Sequence, residues 1–341
     1  MTLKAQTRRL WKLCFDDTDT FIDLYFSARY RDGINYVVYR NNQVISALQT
    51  IPYTMHCFNA HCKIAYVSGA CTAPEFRQHG VMEQLLKDVH QSLFRKDILL
   101  CTLIPANDHL WEYYRKAGYA SVFVQHKRDL FANDLCDALS LKSGVIKELK
   151  EVGDEMYDFF STECSKRKAT VLHDADDLGV VMKDLLSDGG AVLAFYELGR
   201  ITGIAFCKRD GEQTALLELL TENETAEQAL LSAVFHRYPA SSSIRLFTPV
   251  EDRMNVERKG MARIINAHKL LTLYAAQYPS ESFYIELYDP VIVENNGHYF
   301  IRNGHCVRGI FPQFCAESYT VEDLTQLVFA EEKPFMNLML E

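Results

Sequence analysis

The stretch Tyr66–Phe94, YVSGACTAPEFRQHGVMEQLLKDVHQSLF, decides the fold of this chain. A short apolar run leads through Thr72–Phe76 into the loop Arg77–Met82, and a helical pattern follows at once. The backbone N–H groups of such a strand–loop–helix junction converge, and the helix dipole favours negative charge. The stretch therefore predicts an anion-binding loop. The apolar face of the predicted helix comprises Met82, Leu85, Leu86, Val89 and Leu93.

The composition is that of a soluble globular protein, with 48% hydrophobic and 24% charged residues among 341. The net charge of −9 argues against binding to a nucleic acid or an anionic membrane, because either would require a patch of basic residues. No apolar run reaches membrane-spanning length, and the first residues carry no signal-peptide pattern. The ten cysteines include no Cys-x-x-Cys motif, which favours free thiols in a reducing compartment. We expect a cytoplasmic protein without nucleic-acid or membrane partners.

The first part of the chain predicts a mixed α/β unit that ends near residue 130. The segment from Tyr36 to Thr72, with a hairpin signal at Asn41-Asn42, predicts four antiparallel strands, or three if the run through Pro52 is one bulged strand. The remaining predictions are a strand over Arg9–Phe15, a helix from Phe21, a buried central strand at Ile98–Leu103, a helix at Asn107–Arg115 and a strand at Tyr119–His126.

The rest of the chain predicts two further units, over residues 131–254 and 255–341. The second unit repeats part of the order of the first, but its loop Thr221–Asn223 carries acid and no glycine. Such a loop would repel a phosphate, so we expect this copy to be inactive. The last residues, Pro334–Glu341, are apolar enough that we expect them to pack into the protein.

The pattern Arg77-x-x-Gly80-x-Met82 resembles motif A of the GNAT superfamily of N-acetyltransferases. Gly80 lets the backbone approach phosphates closely because it has no Cβ. The resemblance implies that acetyl-coenzyme A (acetyl-CoA) is the co-substrate and that the amides from Gln78 to Met82 bind its pyrophosphate. Met82 departs from the family pattern, which has Gly or Ala there.

A second pattern, Asn107-x6-Tyr114-x3-Gly118-Tyr119, resembles the later motif of the same superfamily. The resemblance implies that Asn107 contacts the pantetheine arm or the adenine side of the cofactor. It also makes Tyr114 the general acid that protonates the leaving thiolate. Tyr113 is its rival, but the spacing from Tyr114 to Gly118 fits the family pattern.

The family also implies a strand edge along which the pantetheine arm pairs, and a backbone N–H there that stabilises an oxyanion. In this chain the edge is predicted at Ala70–Thr72. Cys71 is interpreted as a packing residue, with a covalent acyl-cysteine as the alternative. The full set of predicted cofactor-binding residues is Ala70, Cys71, Thr72, Arg77, Gln78, His79, Gly80, Val81, Met82 and Asn107.

The layout of the whole chain resembles that of the enhanced intracellular survival (Eis) type acetyltransferases. The resemblance implies an α/β (α+β) fold: tandem GNAT-like mixed sheets flanked by helices, plus a C-terminal α/β domain like sterol carrier proteins. Residues 1–130 would be the active domain, 131–254 the degenerate copy and 255–341 the sterol-carrier-like domain. In that family the terminal carboxylate, here that of Glu341, enters the active site as the base. The alternative is a tail that packs only for stability.

The segment His56–Cys62 (HCFNAHC) has zinc-like composition. Neighbouring residues of a hairpin point to opposite faces, however, so His56 and Cys57 could not face one ion. No metal is expected.

Together the motifs favour an acetyl-CoA-dependent N-acetyltransferase that acts on a small-molecule or peptide amine by direct attack in a ternary complex. A non-catalytic acyl-CoA sensor or a lipid-binding protein is the alternative. The sequence does not identify the amine. Since the related family often assembles, a homo-oligomer also stays open.

Overall fold

The structure is a computed structural model that describes residues 1–131, 144–250 and 256–340. Its helices are α1 (Leu3–Cys14), α2 (Asp19–Ala28), α3 (Val81–Arg95), α4 (Asp108–Lys116), α5 (Asp154–Ser165), α6 (Ala175–Ser187), α7 (Glu224–Arg237), α8 (Ala267–Gln277) and α9 (Val321–Phe329). Within these ranges, no helix is both long enough and apolar enough to cross a membrane.

The strands alternate with these helices along the chain, and the predicted mixed α/β class is confirmed. They are β1 (Asn35–Arg40), β2 (Gln43–Cys57), β3 (Ala60–Thr72), β4 (Leu100–Leu103), β5 (Ala120–Leu130), β6 (Gly144–Leu149), β7 (Thr170–Leu172), β8 (Ala191–Glu197), β9 (Arg200–Asp210), β10 (Gln213–Thr221), β11 (Ile244–Thr248), β12 (Val256–Ile264), β13 (Phe283–Tyr288), β14 (Gly297–Arg302), β15 (His305–Arg308) and β16 (Glu317–Thr320).

The chain divides into two compact units, each built from separate stretches of sequence. Unit 1 contains Met1–Phe123 and Lys259–Pro334, and unit 2 contains Val124–Arg258 and Phe335–Leu340. The predicted boundary at residues 254 and 255 lies outside the described residues. The predicted division into three domains stays a prediction.

The main sheet of unit 1 has the order β1-β2-β3-β4-β12. Its central pair, β3 and β4, is parallel, and the register pairs Ile64 with Leu100, Ala65 with Cys101 and Tyr66 with Thr102. Strand β3 continues to Thr72, but within the described residues it pairs with β4 only as far as Tyr66. The two central strands therefore separate, and one edge of β3 is left open.

Helices α3 and α4 cover one face of this sheet. The spacing of the α3 residues Leu85, Leu86, Val89 and Leu93 places all of them in the core, as the sequence predicts. They pack against Leu48, Ala65, Val67, Cys101 and Leu103 from three neighbouring strands and against Tyr114 and Tyr119. A second sheet of unit 1 has the order β15-β14-β13-β16.

The predicted strand over Arg9–Phe15 is wrong, because Arg9–Cys14 belong to helix α1 and Phe15 is its C-cap. Thr2 caps that helix by accepting a hydrogen bond from Ala5 N at 3.3 Å. The buried residues Thr7, Leu10 and Trp11 lie at helical spacing. The apolar alternation within Arg9–Phe15 covers too few residues to distinguish the period of a helix from that of a strand.

The predicted hairpin at Asn41-Asn42 is confirmed, with φ of 49° and 62° at the two residues, as a two-residue turn between twisted strands requires. Of the two options left open for the following segment, the structure has the single strand β2, which runs through Pro52. Its register with β3 shifts between Ala47 and Gln49, as a bulge does. The sequence did not predict β6, β7, α6, β15 or β16.

Unit 2 contains a sheet in the order β5-β11-β10-β9-β8-β6. Strands β10 and β11 are parallel and α7 follows β10, so the order around them repeats that around β3, α3 and β4 in unit 1. The core of the unit includes Leu193, Phe195, Leu216, Leu230 and Val234.

The C-terminal segment Phe335–Leu340 is an integral part of unit 2, so the expectation that it packs into the protein is confirmed. Phe335 forms a parallel bridge with Thr170, and the Arg167 guanidinium lies 4.8 Å from the centroid of its ring. The ring of His173 bonds the carbonyl of Asn337 through Nε2 at 2.9 Å, and its Nδ1 contacts Asp177. Apolar burial and polar contacts together anchor the segment.

We expect Phe335→Ala to destabilise unit 2 by roughly 3–5 kcal/mol, because it empties a buried aromatic site. Phe335 is 1% exposed, whereas Leu198, the matched control, is 99% exposed. Trp11 and Trp111 both belong to unit 1, so tryptophan fluorescence would not report on unit 2. Hydrogen exchange in urea, followed by mass spectrometry of peptides from β8 to β10, measures the effect. Equal protection in Phe335→Ala and Leu198→Ala would contradict the anchoring role.

Candidate active site

The loop between β3 and α3 has the backbone that an anion site requires. Gln78 and Gly80 both have positive φ, at 63° and 74°, so the chain turns sharply just before the helix. Gly80 is the N-cap of α3 and has no side chain to occupy the first N–H groups. Those groups have no partners within the helix, so they are available to a bound anion.

The need for glycine at position 80 is conformational. A Cβ built on Gly80 would meet nothing within 4 Å, but an L-residue is strained at this positive φ. The departure at Met82 has a structural explanation, because its side chain packs against the core of α3 and α4. A residue larger than Gly or Ala is therefore accommodated there.

Two side chains of the loop brace its backbone. Arg77 Nε donates to the carbonyl of Thr72 at 3.0 Å, and His79 Nδ1 donates to the carbonyl of Arg77 at 2.6 Å. The loop is thus tied to the end of β3. The sequence placed His79 at the site through its amide and Arg77 through the motif, and it did not predict these hydrogen bonds of their side chains.

The predicted strand edge Ala70–Thr72 lies where β3 has separated from β4. On its other edge, Cys71 pairs with Ala47 and Thr72 pairs with Ser46, both in β2. Cys71 is buried, and its hydrogen bond with Cys14 together with burial raises the pKa of its thiol well above the ordinary value. Such a thiol is a poor nucleophile, which argues against the acyl-cysteine alternative.

Tyr114 lies on α4 in the same core cluster as Val67 and Leu103. Its ring centroid is 5.3 Å from that of Tyr113 and 5.7 Å from that of Tyr119. Burial, more than its neighbours, raises the pKa of the Tyr114 phenol above its usual value. The phenol therefore stays protonated at neutral pH, as a proton donor must.

Tyr113 occupies a different environment from its neighbour. It is half-buried, and burial raises its pKa to about 12. It lines a separate cavity of about 630 Å³ with Lys87, His90 and Arg263, and Tyr114 is not part of that lining.

Asn107 is the N-cap of α4, where its side-chain oxygen accepts a hydrogen bond from Leu110 N at 3.3 Å. The structure thus gives Asn107 a capping role, and its predicted contact with the cofactor stays a prediction. Glu341, the predicted base, lies outside the described residues.

The corresponding junction in unit 2 is chemically different. Asn223 caps α7, and its side chain accepts a hydrogen bond from Ala226 N at 2.9 Å. Glu224 and Glu227 lie in the first turn, and Glu222 pairs with Arg200 at 2.7 Å. One backbone N–H of this helix start already donates to Asn223, and the nearby carboxylates would repel a phosphate. Both features support the expectation that this copy does not bind coenzyme A.

The hairpin His56–Cys62 separates its possible metal ligands. Cys57 and Cys62 are buried with their sulfurs 3.7 Å apart, whereas His61 is exposed and faces His56 across the strands. Among the residues that the structure describes, no group of three or more His, Cys, Asp or Glu could hold a metal ion.

The sequence model of the family described as acetyltransferase (GNAT) domain matches residues 4–122. That range contains the loop, the open edge of β3, and Tyr114. Residues 4–122 form a GNAT acetyltransferase domain. The protein is accordingly an acyltransferase. No curated protein sequence gives a significant match.

Solved structures share the fold over nearly the whole chain. A GCN5-related N-acetyltransferase from Kribbella flavida has a TM-score of 0.76 at 14% identity, covering 99% of this chain and 95% of its own. A probable N-acyltransferase from Enterococcus faecalis V583 has a TM-score of 0.74 at 16% identity, covering 96% and 87%. Eis1 from Mycobacterium abscessus has a TM-score of 0.73 at 12% identity, covering 96% and 88%. The Eis-like resemblance of the fold is therefore confirmed, and the sterol-carrier likeness of residues 255–341 stays a prediction.

We expect Gly80→Ala to weaken the binding of coenzyme A about tenfold, because the bound loop must then hold an L-residue at positive φ, at roughly 1–2 kcal/mol. Gly33→Ala is the matched control, since a Cβ at Gly33 also meets nothing within 4 Å and its φ is not positive. Titration calorimetry measures both dissociation constants. An unchanged constant for Gly80→Ala would remove the loop backbone from the site.

Proposed function

We propose that the protein is an acetyl-CoA-dependent N-acetyltransferase that transfers the acetyl group directly to an amine in a ternary complex. One observation carries the proposal: the GNAT domain combines a helix N-terminus that no side chain caps, the open edge of β3 and a buried, protonated tyrosine. These parts suit, in turn, a pyrophosphate, an extended pantetheine arm and a leaving thiolate.

The cofactor would lie along the loop and the open strand edge. The amides from Gln78 to Met82 would bind the pyrophosphate, assisted by the dipole of α3. The pantetheine arm would then pair with Ala70–Thr72 as an added strand. Cys71 and Thr72 already pair with β2 through their other edge, which supports a rigid platform.

In the chemical step, the neutral amine attacks the thioester carbonyl and forms a tetrahedral intermediate. A backbone N–H at the edge of β3 stabilises its oxyanion. When the C–S bond breaks, the coenzyme A thiolate leaves and Tyr114 gives it a proton. The proton lost by the amine goes to a base, for which we propose the α-carboxylate of Glu341, directly or through water.

The acceptor class follows from this chemistry: a small-molecule or peptide amine with a nucleophilic nitrogen. An overall charge of −9 is compatible with a cationic acceptor. Acetyl-CoA binding by calorimetry, followed by release of free thiol over a panel of amines, tests the proposal. Binding without turnover on any amine would favour the acyl-CoA sensor instead.

We expect Tyr114→Phe to lower kcat by about 10²–10⁴, because it removes the general acid. The affinity for acetyl-CoA should stay nearly unchanged, since the loop and strand edge are intact. Tyr113→Phe is the matched control and should keep most of the turnover. Thiol release measures kcat and calorimetry measures affinity. Intact turnover in Tyr114→Phe would remove this residue from the role of acid.

We expect a short Gly-Ser extension after Glu341 to reduce kcat, because it moves the α-carboxylate away from its place at the chain end. The same extension before Met1 is the control and should leave turnover unchanged. Thermal unfolding of both proteins shows whether the fold is intact. A fully active C-terminal extension would count against the terminal carboxylate as the base.

A further inference from the structure

The cavity beside Tyr113 lies wholly within unit 1, and none of the described residues of the cofactor loop lines it. Its volume of about 630 Å³ is in the range of small-molecule pockets. The C-terminal end of α4 and the start of α9 form part of its wall. Another part is one stripe of α3, formed by Glu83, Leu86, Lys87 and His90. The mechanism above uses none of these four side chains.

His90 gives this cavity a polar atom that the protein leaves unpaired. The residue is 1% exposed, and its Nε2 lies 2.9 Å from the Tyr119 hydroxyl. That hydroxyl donates its hydrogen to the Cys101 sulfur at 3.1 Å, so its oxygen accepts the hydrogen of His90 Nε2. The other ring nitrogen, Nδ1, then carries a lone pair, and no described residue bonds to it.

The unpaired Nδ1 of His90 calls for a hydrogen-bond donor. Buried polar atoms are normally hydrogen-bonded, because an unpaired one lowers the stability of the fold. A ligand that donates an O–H or N–H group to Nδ1 would supply the missing bond. Burial lowers the pKa of His90 well below its usual value, and the charge of Arg263 lowers it further. The ring is therefore neutral at physiological pH, and the acceptor is available there.

The cations near the rim of the cavity have acidic partners, which argues against an anionic ligand. Lys87 bonds Glu83 at 2.7 Å. Arg115 and Lys116 both contact Glu112, at 2.7 and 3.8 Å. An anion would have to compete with these carboxylates for each cation, and the lone pair of Nδ1 would repel it.

The fourth cation of the lining, Arg263, argues against a cationic ligand. It is fully buried, and its guanidinium bonds Asp289 at 2.7 Å and the carbonyl of Ala117 at 3.1 Å. Its charge disfavours a positive charge on the His90 ring, and it would disfavour a cationic group beside Nδ1 in the same way. The apolar part of the lining consists of Leu86, Pro290, Val291 and Val321.

We propose that this cavity is a second binding site, for a neutral and mainly apolar molecule whose hydroxyl or N–H group donates a hydrogen bond to His90 Nδ1. A phenol or an alicyclic alcohol is the chemical class that meets these conditions. Part of the lining faces solvent, since the Lys116 side chain is 72% exposed and Tyr288 is 62% exposed. Such a molecule can therefore enter from solution.

The first test measures the binding of three naphthalene compounds to the full-length protein by titration calorimetry. At pH 7, 2-naphthol is a neutral donor, 2-methoxynaphthalene has the same rings without a donor, and 2-naphthoate is an anion. We expect 2-naphthol to bind about tenfold more tightly than either of the others, because it pairs the buried acceptor. Equal affinities for 2-naphthol and its methyl ether, or no binding of 2-naphthol, would overturn the proposal.

The second test locates the bound molecule by filling the cavity. Ala117→Phe should abolish the binding of 2-naphthol, because its ring occupies the cavity while the backbone carbonyl that Arg263 uses is kept. Ala276→Phe, at an exposed position of α8, is the matched control and should bind as the wild type does. Thermal unfolding shows that both variants are folded. Unchanged binding in a folded Ala117→Phe protein would place the ligand elsewhere and contradict the proposal.

The third test observes the acceptor atom itself in the wild-type protein. With ¹⁵N-labelled histidine, the Nδ1 resonance that is missing from the spectrum of His90→Leu belongs to His90. We expect 2-naphthol to move this resonance upfield, because its nitrogen then accepts a hydrogen bond, and the methyl ether to leave it in place. A resonance that does not move at saturating 2-naphthol would show that His90 is not the acceptor and sink the proposal.

Coenzyme A distinguishes this site from the proposed cofactor site. Saturating coenzyme A should leave the affinity for 2-naphthol unchanged, since the cofactor loop does not line the cavity. Displacement of 2-naphthol by coenzyme A would make the cavity part of the cofactor site and overturn a second site. These measurements need neither acetyl-CoA nor turnover, so the proposed acetyl transfer can fail while the cavity still binds its ligand, and the reverse also holds.

Discussion

The site depends on the point at which two parallel strands stop pairing. Strands β3 and β4 share three register pairs, and after Tyr66 and Thr102 they separate. Because the backbone groups of β3 then lack a neighbour on one edge, they can bind an extended ligand. Val67 and Leu103, just beyond the last register pair, belong to the core cluster that also holds Tyr114. The open edge, the loop that follows β3 and the tyrosine thus lie around one break in a sheet.

The two strand–helix junctions of the chain differ at the residue that caps the helix. In both, a strand leads into a helix beside a parallel neighbour. At α3 the capping residue is Gly80, which leaves the N–H groups free, whereas at α7 the side chain of Asn223 occupies one of them. The first turn of α7 carries Glu224 and Glu227, whereas that of α3 carries Glu83. The order of strand and helix is repeated, and the two junctions differ in capping residue and in charge.

Much of this architecture could be predicted from the sequence because its signals are local. The period of Leu85, Leu86, Val89 and Leu93 specifies α3, and the pair Asn41-Asn42 specifies a hairpin. The prediction for α1 failed because a short apolar alternation fits the period of a helix as well as that of a strand. What could not be predicted depends on where side chains lie in three dimensions: Arg77 Nε donates to the Thr72 carbonyl, and the Cys14 thiol donates to the same oxygen from a distant helix. The roles of Tyr114 and Glu341 come from the family resemblance.

The anchored C-terminal segment has a consequence for how the protein is made. Unit 2 begins at Val124, yet it includes Phe335–Leu340, and Phe335 bridges Thr170. Unit 1 is likewise split, since it needs Lys259–Pro334 as well as the first part of the chain. Domains usually fold as units while synthesis proceeds from the N-terminus. Here unit 1 lacks Lys259–Pro334, and unit 2 lacks the bridge between Phe335 and Thr170, while the first part of the chain is being made, so neither unit can complete its packing at that stage.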